Sequence, residues 1–117
     1  MRRDWDVIRK ILLQIEELPR GDALVSNEIN DVNNDVAAYH MEILIAAGLI
    51  EGVSSHPADA PRAQAMAITW EGHEFLDKIR QDTNWSRVKE VAGTKGVELS
   101  FDTIKTIAKY LLTQLFN

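Results

Sequence analysis

The sequence contains no cysteine, only three prolines and six glycines, and no apolar run long enough to form a membrane span. The missing cysteine excludes a disulfide framework, a thiolate nucleophile and every zinc site that needs sulfur. It fits a reducing compartment, and a cytoplasmic location is expected. A spanning helix needs roughly 18 apolar residues in succession. The opening stretch MRRDWDVIRK scatters charge where an export signal would need unbroken apolar residues, so no such signal is expected. Basic charge is also missing from one long interval. Between Gly21 and Pro61 there is no lysine or arginine, while Asp22, Glu28, Asp31, Asp35, Glu42, Glu51 and Asp59 all fall there. The whole chain carries a net charge of −5, which gives no general attraction to nucleic acid or anionic lipid.

What is present fits one ordinary globular domain. At 117 residues, 45% hydrophobic and 26% charged, the chain can bury one core and is neither disordered nor fibrous. Asp4 to Leu18 reads as a helix, with Trp5, Ile8, Ile11, Leu12 and Ile15 on one stripe, Asp4 as N-cap, and Pro19 and Gly21 as the stop. Ala23 to Val25 can form a very short strand, and Ser26 can cap a short helix around Asn27 to Asn30. Asn34 to Ala47 reads as a helix with Ala37, Met41 and Leu44 on its inner face and His40 and Ile45 beside them, closed by Gly48. Leu49–Val53 and Gln64–Thr69 read as strands joined by the loop SSHPADAP. Thr69 can cap a helix over Trp70–Gln81 that turns Trp70, His73, Leu76 and Ile79 inward. TNWSRVKEVAGTKG reads as a shorter helix ending at Gly93 or Gly96, and Ser100 caps a last helix over Phe101–Phe116.

The order helix, helix, helix, hairpin, helix predicts a mainly α fold with a small β-hairpin. The expectation is a winged helix-turn-helix over residues 1–82, followed by a C-terminal helical extension over 83–117 that packs on it or lies at a dimer interface. Two strings sharpen this. YHMEILIAAGLIEGV resembles the recognition-helix end and first wing strand of many bacterial winged-helix regulators, through His40, Met41, Leu44, Ala47, Gly48, Leu49 and Ile50. AITWEGHEFL resembles the second wing strand entering the next helix, through Ile68, Thr69, Gly72 and Leu76. Over most of its length the chain also resembles a domain-of-unknown-function family, number 2513, of bacterial and phage-related proteins. The pieces that carry this are RRDWDVIRKILLQIEE, YHMEILIAAGLIEG and TWEGHEFLDKIRQDTNWSRVKE, in that order. The resemblance implies a winged-helix fold and a prophage setting, and it transfers no catalytic or binding residue.

A winged helix suggests DNA, and the charge distribution argues against it. DNA affinity comes largely from cations that neutralise phosphates. The recognition helix is expected to expose Asn34, Asp35, Ala38, Tyr39 and Glu42, and the wing to offer His56 and Arg62. Asn34 could read adenine and Tyr39 could touch a sugar, but Asp35 and Glu42 would repel the backbone. Other cations include Arg2, Arg3, Arg9 and Lys10 at the first helix and Arg80, Arg87, Lys89, Lys95, Lys105 and Lys109 in the last third. They read as a solvated surface with helix pairs such as Glu74–Lys78; the sharper alternative is a non-standard nucleic-acid face.

No constellation supports catalysis, a metal or a cofactor. His40, His56 and His73 have no partner at ligand spacing; His40 and His73 read as core-facing and His56 as solvated. Ser26, Ser54, Ser55, Ser86 and Ser100 lack the strained turn and base of a nucleophile. The glycines are isolated, so there is no phosphate cradle, and Glu16–Glu17 reads as surface charge. Trp5 and Trp70 fit core faces, and Trp85 a packing joint. In the last helix Phe101, Ile104, Ala108, Leu111 and Leu115 follow an a/d spacing, widened by Ile107, Leu112 and Phe116. This stripe either folds back on the first helix within one chain or meets its mate in a homodimer. The expected function is thus a non-enzymatic interaction module that binds a protein partner or itself, with no membrane or small-molecule substrate. The alternative is a DNA-binding transcriptional regulator of phage or prophage type that uses Asn34, Tyr39 and Arg62.

Overall fold

The computed structural model describes residues 1–56 and 60–116. In these residues the elements run α1 (Trp5–Glu16), β1 (Leu24–Val25), a 3-10 turn (Ser26–Glu28), α2 (Asn34–Ala46), β2 (Ile50–Ser55), β3 (Arg62–Ile68), α3 (Trp70–Ile79), α4 (Asp82–Lys95) and α5 (Phe101–Leu115). The protein is mainly helical with one small antiparallel sheet. The chain divides into two compact units, Met1–Glu74 and Phe75–Asn117.

In the first unit, Asp4 caps α1 by accepting hydrogen bonds from the Asp6 and Val7 amides at 2.9 and 3.3 Å. Ile8, Ile11, Leu12 and Ile15 are all buried, as their helical spacing requires. The sheet order is β1-β3-β2, so β3 is the central strand. Along β3, Ala63 and Ala65 are buried while Arg62, Gln64 and Met66 face outward, the period-2 alternation of a half-covered sheet. Alanine at both inward positions leaves room for α1 and α2, which both pack against β3. Ile50 pairs with Ile68 and Ser55 with Arg62, with one irregularity where Glu51 pairs with Ala67 and Gly52 with Ala65. The hairpin strands run longer than expected toward the loop. Pro57, Ala58 and Asp59, at the centre of the expected loop, lie outside the described residues.

A latch closes this unit. The helix α2 ends with Gly48 at φ 77°, in the left-handed region that favours glycine. The Thr69 hydroxyl donates to the Gly48 carbonyl at 2.6 Å and accepts the Gly72 amide at 3.1 Å, while the Thr69 amide donates to the Leu49 carbonyl at 3.1 Å. Thr69 is therefore both the N-cap of α3 and the tie to the end of α2. Gly72 sits so close to the Leu49 carbonyl oxygen that a β-carbon would collide with it.

The inward face of α3 differs from the expected one. Trp70 is 79% exposed and His73 is also exposed, whereas Phe75, Leu76 and Ile79 are buried. Spacings of three read 70, 73, 76 and 79 as one stripe, but a helix turns roughly 100° per residue, so each such step slips by about 60°. By Leu76 the slip has carried Trp70 away from the buried side.

In the second unit, α4 is a helix of 14 residues that takes the later of its two expected ends. It runs through Gly93 and ends at Gly96, whose φ of 69° forms the left-handed cap. Its inner positions Trp85, Val88 and Ala92 are buried. Ser100 caps α5 by accepting the Thr103 amide at 3.1 Å, and Ile104, Ile107 and Leu111 are buried on that helix. Helices α4 and α5 pack on each other, and Phe75 stacks on Phe101 with ring centroids 4.7 Å apart.

Two glycine substitutions should move stability in opposite directions. Gly72→Ala places a methyl group against backbone and should destabilise the protein by about 1–3 kcal/mol. Gly93→Ala meets nothing within 4 Å in the helix interior and should stabilise by about 0.5–1 kcal/mol. Urea denaturation of both variants beside the parent chain reads the signs directly.

Candidate recognition surface

The surface formed by α2, the 3-10 turn and the β2–β3 hairpin is set by polar contacts beneath it. Asn33 caps α2 by accepting the Asp35 amide at 2.8 Å. Asp31, at φ 60°, makes the left-handed turn that precedes it. Gln14 of α1 clamps the same loop: its amide nitrogen donates to the Glu28 carbonyl at 2.9 Å and its oxygen accepts the Asn30 amide at 3.0 Å. The Glu28 carboxylate accepts the Val25 amide at 2.7 Å and closes the 3-10 turn on itself.

Ser26 and Asn34 form the centre of this arrangement. Ser26 is fully buried. Its hydroxyl donates to Asn34 Oδ1 at 2.7 Å and accepts the Ala63 amide of β3 at 3.2 Å. Asn34 Nδ2 donates in turn to the Pro61 carbonyl at 3.1 Å. This corrects two expectations. Ser26 is a cross-link between three elements rather than a helix cap; Val25 occupies the cap position and makes no side-chain bond there. Both polar ends of the Asn34 side chain are occupied within the fold, so Asn34 is not presented for base reading.

The other expected surface residues divide. Asp35 is exposed and Tyr39 and Glu42 are half-buried, so these three lie on the open side of α2 with Ala46. Ala38 is buried, a further correction, because α2 is covered by α1, the 3-10 turn, β2 and β3 and keeps only a narrow open arc. The Tyr39 ring meets the His40 ring edge-on at 5.2 Å. His40 is buried as expected: its Nε2 accepts the Asp4 amide at 2.8 Å and its Nδ1 donates to the Val36 carbonyl at 2.7 Å, which ties the α1 N-terminus to α2. His56 is exposed and lies 3.3 Å from the Glu42 carboxylate, so the hairpin reaches α2. Arg62 is exposed at the start of β3.

The interval 21–61 carries formal charge of one sign, with Arg62 just beyond it. Asp22, Glu28, Asp31, Asp35 and Glu51 are exposed and Glu42 is half-buried, and no lysine or arginine occurs between residues 21 and 61. Asp59, the remaining acid of that interval, lies outside the described residues. Among the described residues no group of three or more His, Asp or Glu could hold a metal ion. Among the described residues no helix is long and apolar enough to cross a membrane.

The expected seam of α5 is split by the fold. Ile104 and Leu111 are buried inside the chain, together with Ile107. Phe101 is half-buried against Phe75 and Ala108 is half-buried, while Leu115 is 73% exposed. Leu112 and Phe116 are also exposed. Trp85, expected at a packing joint, is buried on α4.

A family model described as "Hypothetical protein (DUF2513)" matches residues 2–98. The chain belongs to this family. The DUF2513 match takes in α1 to α4 and stops before α5. The chain is also similar to an uncharacterized protein of Haemophilus influenzae, 36% identical over 116 residues that cover 98% of each chain. No solved structure matches. In the DUF2513 chain the two strings that carry the winged-helix resemblance touch each other, since Gly48 and Leu49 are bonded to Thr69.

Ser26→Ala leaves the buried Ala63 amide without its acceptor and should cost about 1–3 kcal/mol. Asn34→Asp keeps the acceptor for Ser26 but turns a carboxylate toward the Pro61 carbonyl, and should also lower the melting temperature. An asparagine held only for base reading would leave thermal unfolding unmoved in both Asn34→Asp and Asn34→Ala.

Proposed function

We propose that residues 1–74 are a winged helix-turn-helix, with the 3-10 turn standing in for its middle helix, and that the chain is a non-enzymatic, cytoplasmic interaction module. The order α1, β1, turn, α2 and hairpin supports the fold reading, as does the position of α2 against the sheet. The module contacts a protein partner through Asp35, Tyr39 and Glu42 on α2. One observation carries this: the exposed side of α2 and the adjoining turn bear carboxylates and no lysine or arginine. A helix entering the major groove passes between two phosphate backbones and relies on nearby cations. The loss of Asn34 to internal bonding removes the best base-reading side chain from the DNA reading. What favours that second reading is the winged-helix order itself, with Arg62 beside the hairpin loop and Tyr39 on the open arc.

Two measurements decide between them. Fluorescence anisotropy with a random duplex at low salt should show no saturable binding in the range of about 1–100 µM where ordinary DNA-binding domains bind non-specifically. A photo-crosslinking residue in place of Tyr39 should trap a discrete protein adduct in cells, and the adduct should vanish in Asp35→Lys/Glu42→Lys. Micromolar duplex binding that weakens steeply with salt, or adducts to nucleic acid alone, would overturn the protein-binding reading.

A further inference from the structure

The second unit contains an open groove of about 850 Å³, lined by residues of α3, α4 and α5 that all fall within Phe75–Asn117. Its floor and walls include Val88, Ala108, Leu111, Leu112 and Leu115. Val88 and Leu111 are buried at the base, while Leu112 and Leu115 are 55% and 73% exposed. Four cations, Lys78, Arg87, Lys105 and Lys109, also line it, against two carboxylates, Asp77 and Asp102. Asp77 is already paired with Arg80 at 2.6 Å. The groove is thus a positively charged, apolar-floored site on a chain whose net charge is −5.

We propose that this groove docks an acidic amphipathic helix of a partner protein, with the partner's apolar face on Ala108, Leu111, Leu112 and Leu115 and its carboxylates toward Arg87, Lys105 and Lys109. The charge selects the occupant. Cations beside an apolar floor complement a helix that alternates leucine-like anchors with Asp or Glu, and such a helix is read through i, i+3/i+4 and i+7 positions. A second copy of α5 fits less well, because it would bring its own Lys105 and Lys109 against the same residues. Nucleic acid would use the cations and leave the leucines without an apolar partner. From Lys105 to Leu115 the open face extends about 15 Å, so the partner contributes about three helical turns. The site shares no residue with the acidic surface of the first unit, so the two readings stand or fall separately.

The test is selection from a displayed library of random peptides of about 16 residues against the full-length chain. The enriched peptides should carry apolar residues at helical spacing with Asp or Glu between them, bind with micromolar Kd as synthetic peptides, and shift amide resonances along α4 and α5. Leu112→Asp should weaken them by about tenfold or more, and so should Lys105→Glu/Lys109→Glu. Lys105 lies over the Phe101 ring at 4.9 Å, whereas Lys109 is exposed, so Lys109→Glu alone decides the matter even where Leu112→Asp or the double charge variant perturbs packing. No enrichment, a neutral or basic consensus, or binding indifferent to Lys109→Glu overturns the proposal. It is equally overturned by a dimer in light scattering that dissolves in Leu112→Asp, or by tighter binding to anionic vesicles or oligonucleotides than to the best peptide.

Discussion

The outward-facing side of the first unit depends on a hydroxyl that never meets solvent. Ser26 holds the 3-10 turn, the first residue of α2 and the central strand together through one donated and one accepted hydrogen bond. A buried polar group without partners costs about 1–3 kcal/mol, so this contact is strongly directional: the elements must arrive in one relative position or leave groups unsatisfied. Asn34 extends the constraint to Pro61, and His40 carries a comparable one from α2 back to Asp4. Hydrophobic burial supplies most of the driving force, since Ile8, Ile11, Leu12, Met41 and Leu44 fill the interior. Yet apolar contacts alone would allow α2 to rotate among similar packings, whereas the polar ties select one. The open arc of Asp35, Tyr39, Glu42 and Ala46 is what remains when that selection has been made.

Much of this was legible in the sequence, for reasons that can be named. Capping residues announce themselves because a short polar side chain before an apolar stripe has one common use: Asp4, Thr69 and Ser100 all cap as expected. The positive-φ glycine after α2 was legible for the same reason. The character of α2 was harder. Almost every residue from Ala37 to Ala47 is small or apolar, so periodicity marks an inner face but not its width, and Ala38 fell on the wrong side. Ser26 reads as a cap because a short polar residue near a helix start looks alike whether it caps locally or bonds to a strand 37 residues away in sequence, and Asn34 reads as a surface group because nothing local shows that Ser26 and Pro61 take up its amide. Trp70 was misplaced by an i+3 drift, which a full wheel over α3 would have revealed.

The α5 stripe shows a different limit. An a/d repeat records that two helices meet, and it does not say which two. Here α4 takes one side of the repeat, Ile104, Ile107 and Leu111 being buried on α5, and leaves Leu112 and Leu115 on the other side. A stripe wider than one seam is therefore consistent with two neighbours, one inside the chain and one outside. For the outside neighbour proposed for Leu112 and Leu115, the flanking lysines are the discriminating feature, because apolar surface is indifferent to partner and charge is not.

Charge is unevenly divided along the chain. The interval with acids and no lysine or arginine is residues 21–61, whereas the cations that line the groove lie after residue 77. A net charge of −5 spread evenly would only keep the protein soluble. Divided along the chain, it sets the carboxylates of residues 21–61 apart from the lysines and arginine that line the groove of the second unit. Long-range attraction to either face fades over a Debye length of about 8 Å at physiological salt, so it governs encounter more than residence. Residence must then come from the apolar groups beside the charges. On α2 that means Tyr39, half-buried and held edge-on to His40, and in the groove it means Leu112 and Leu115. On the proposed readings, a partner on α2 would be held by one half-buried aromatic ring and a partner in the groove by two exposed leucines, so the groove would give the longer residence.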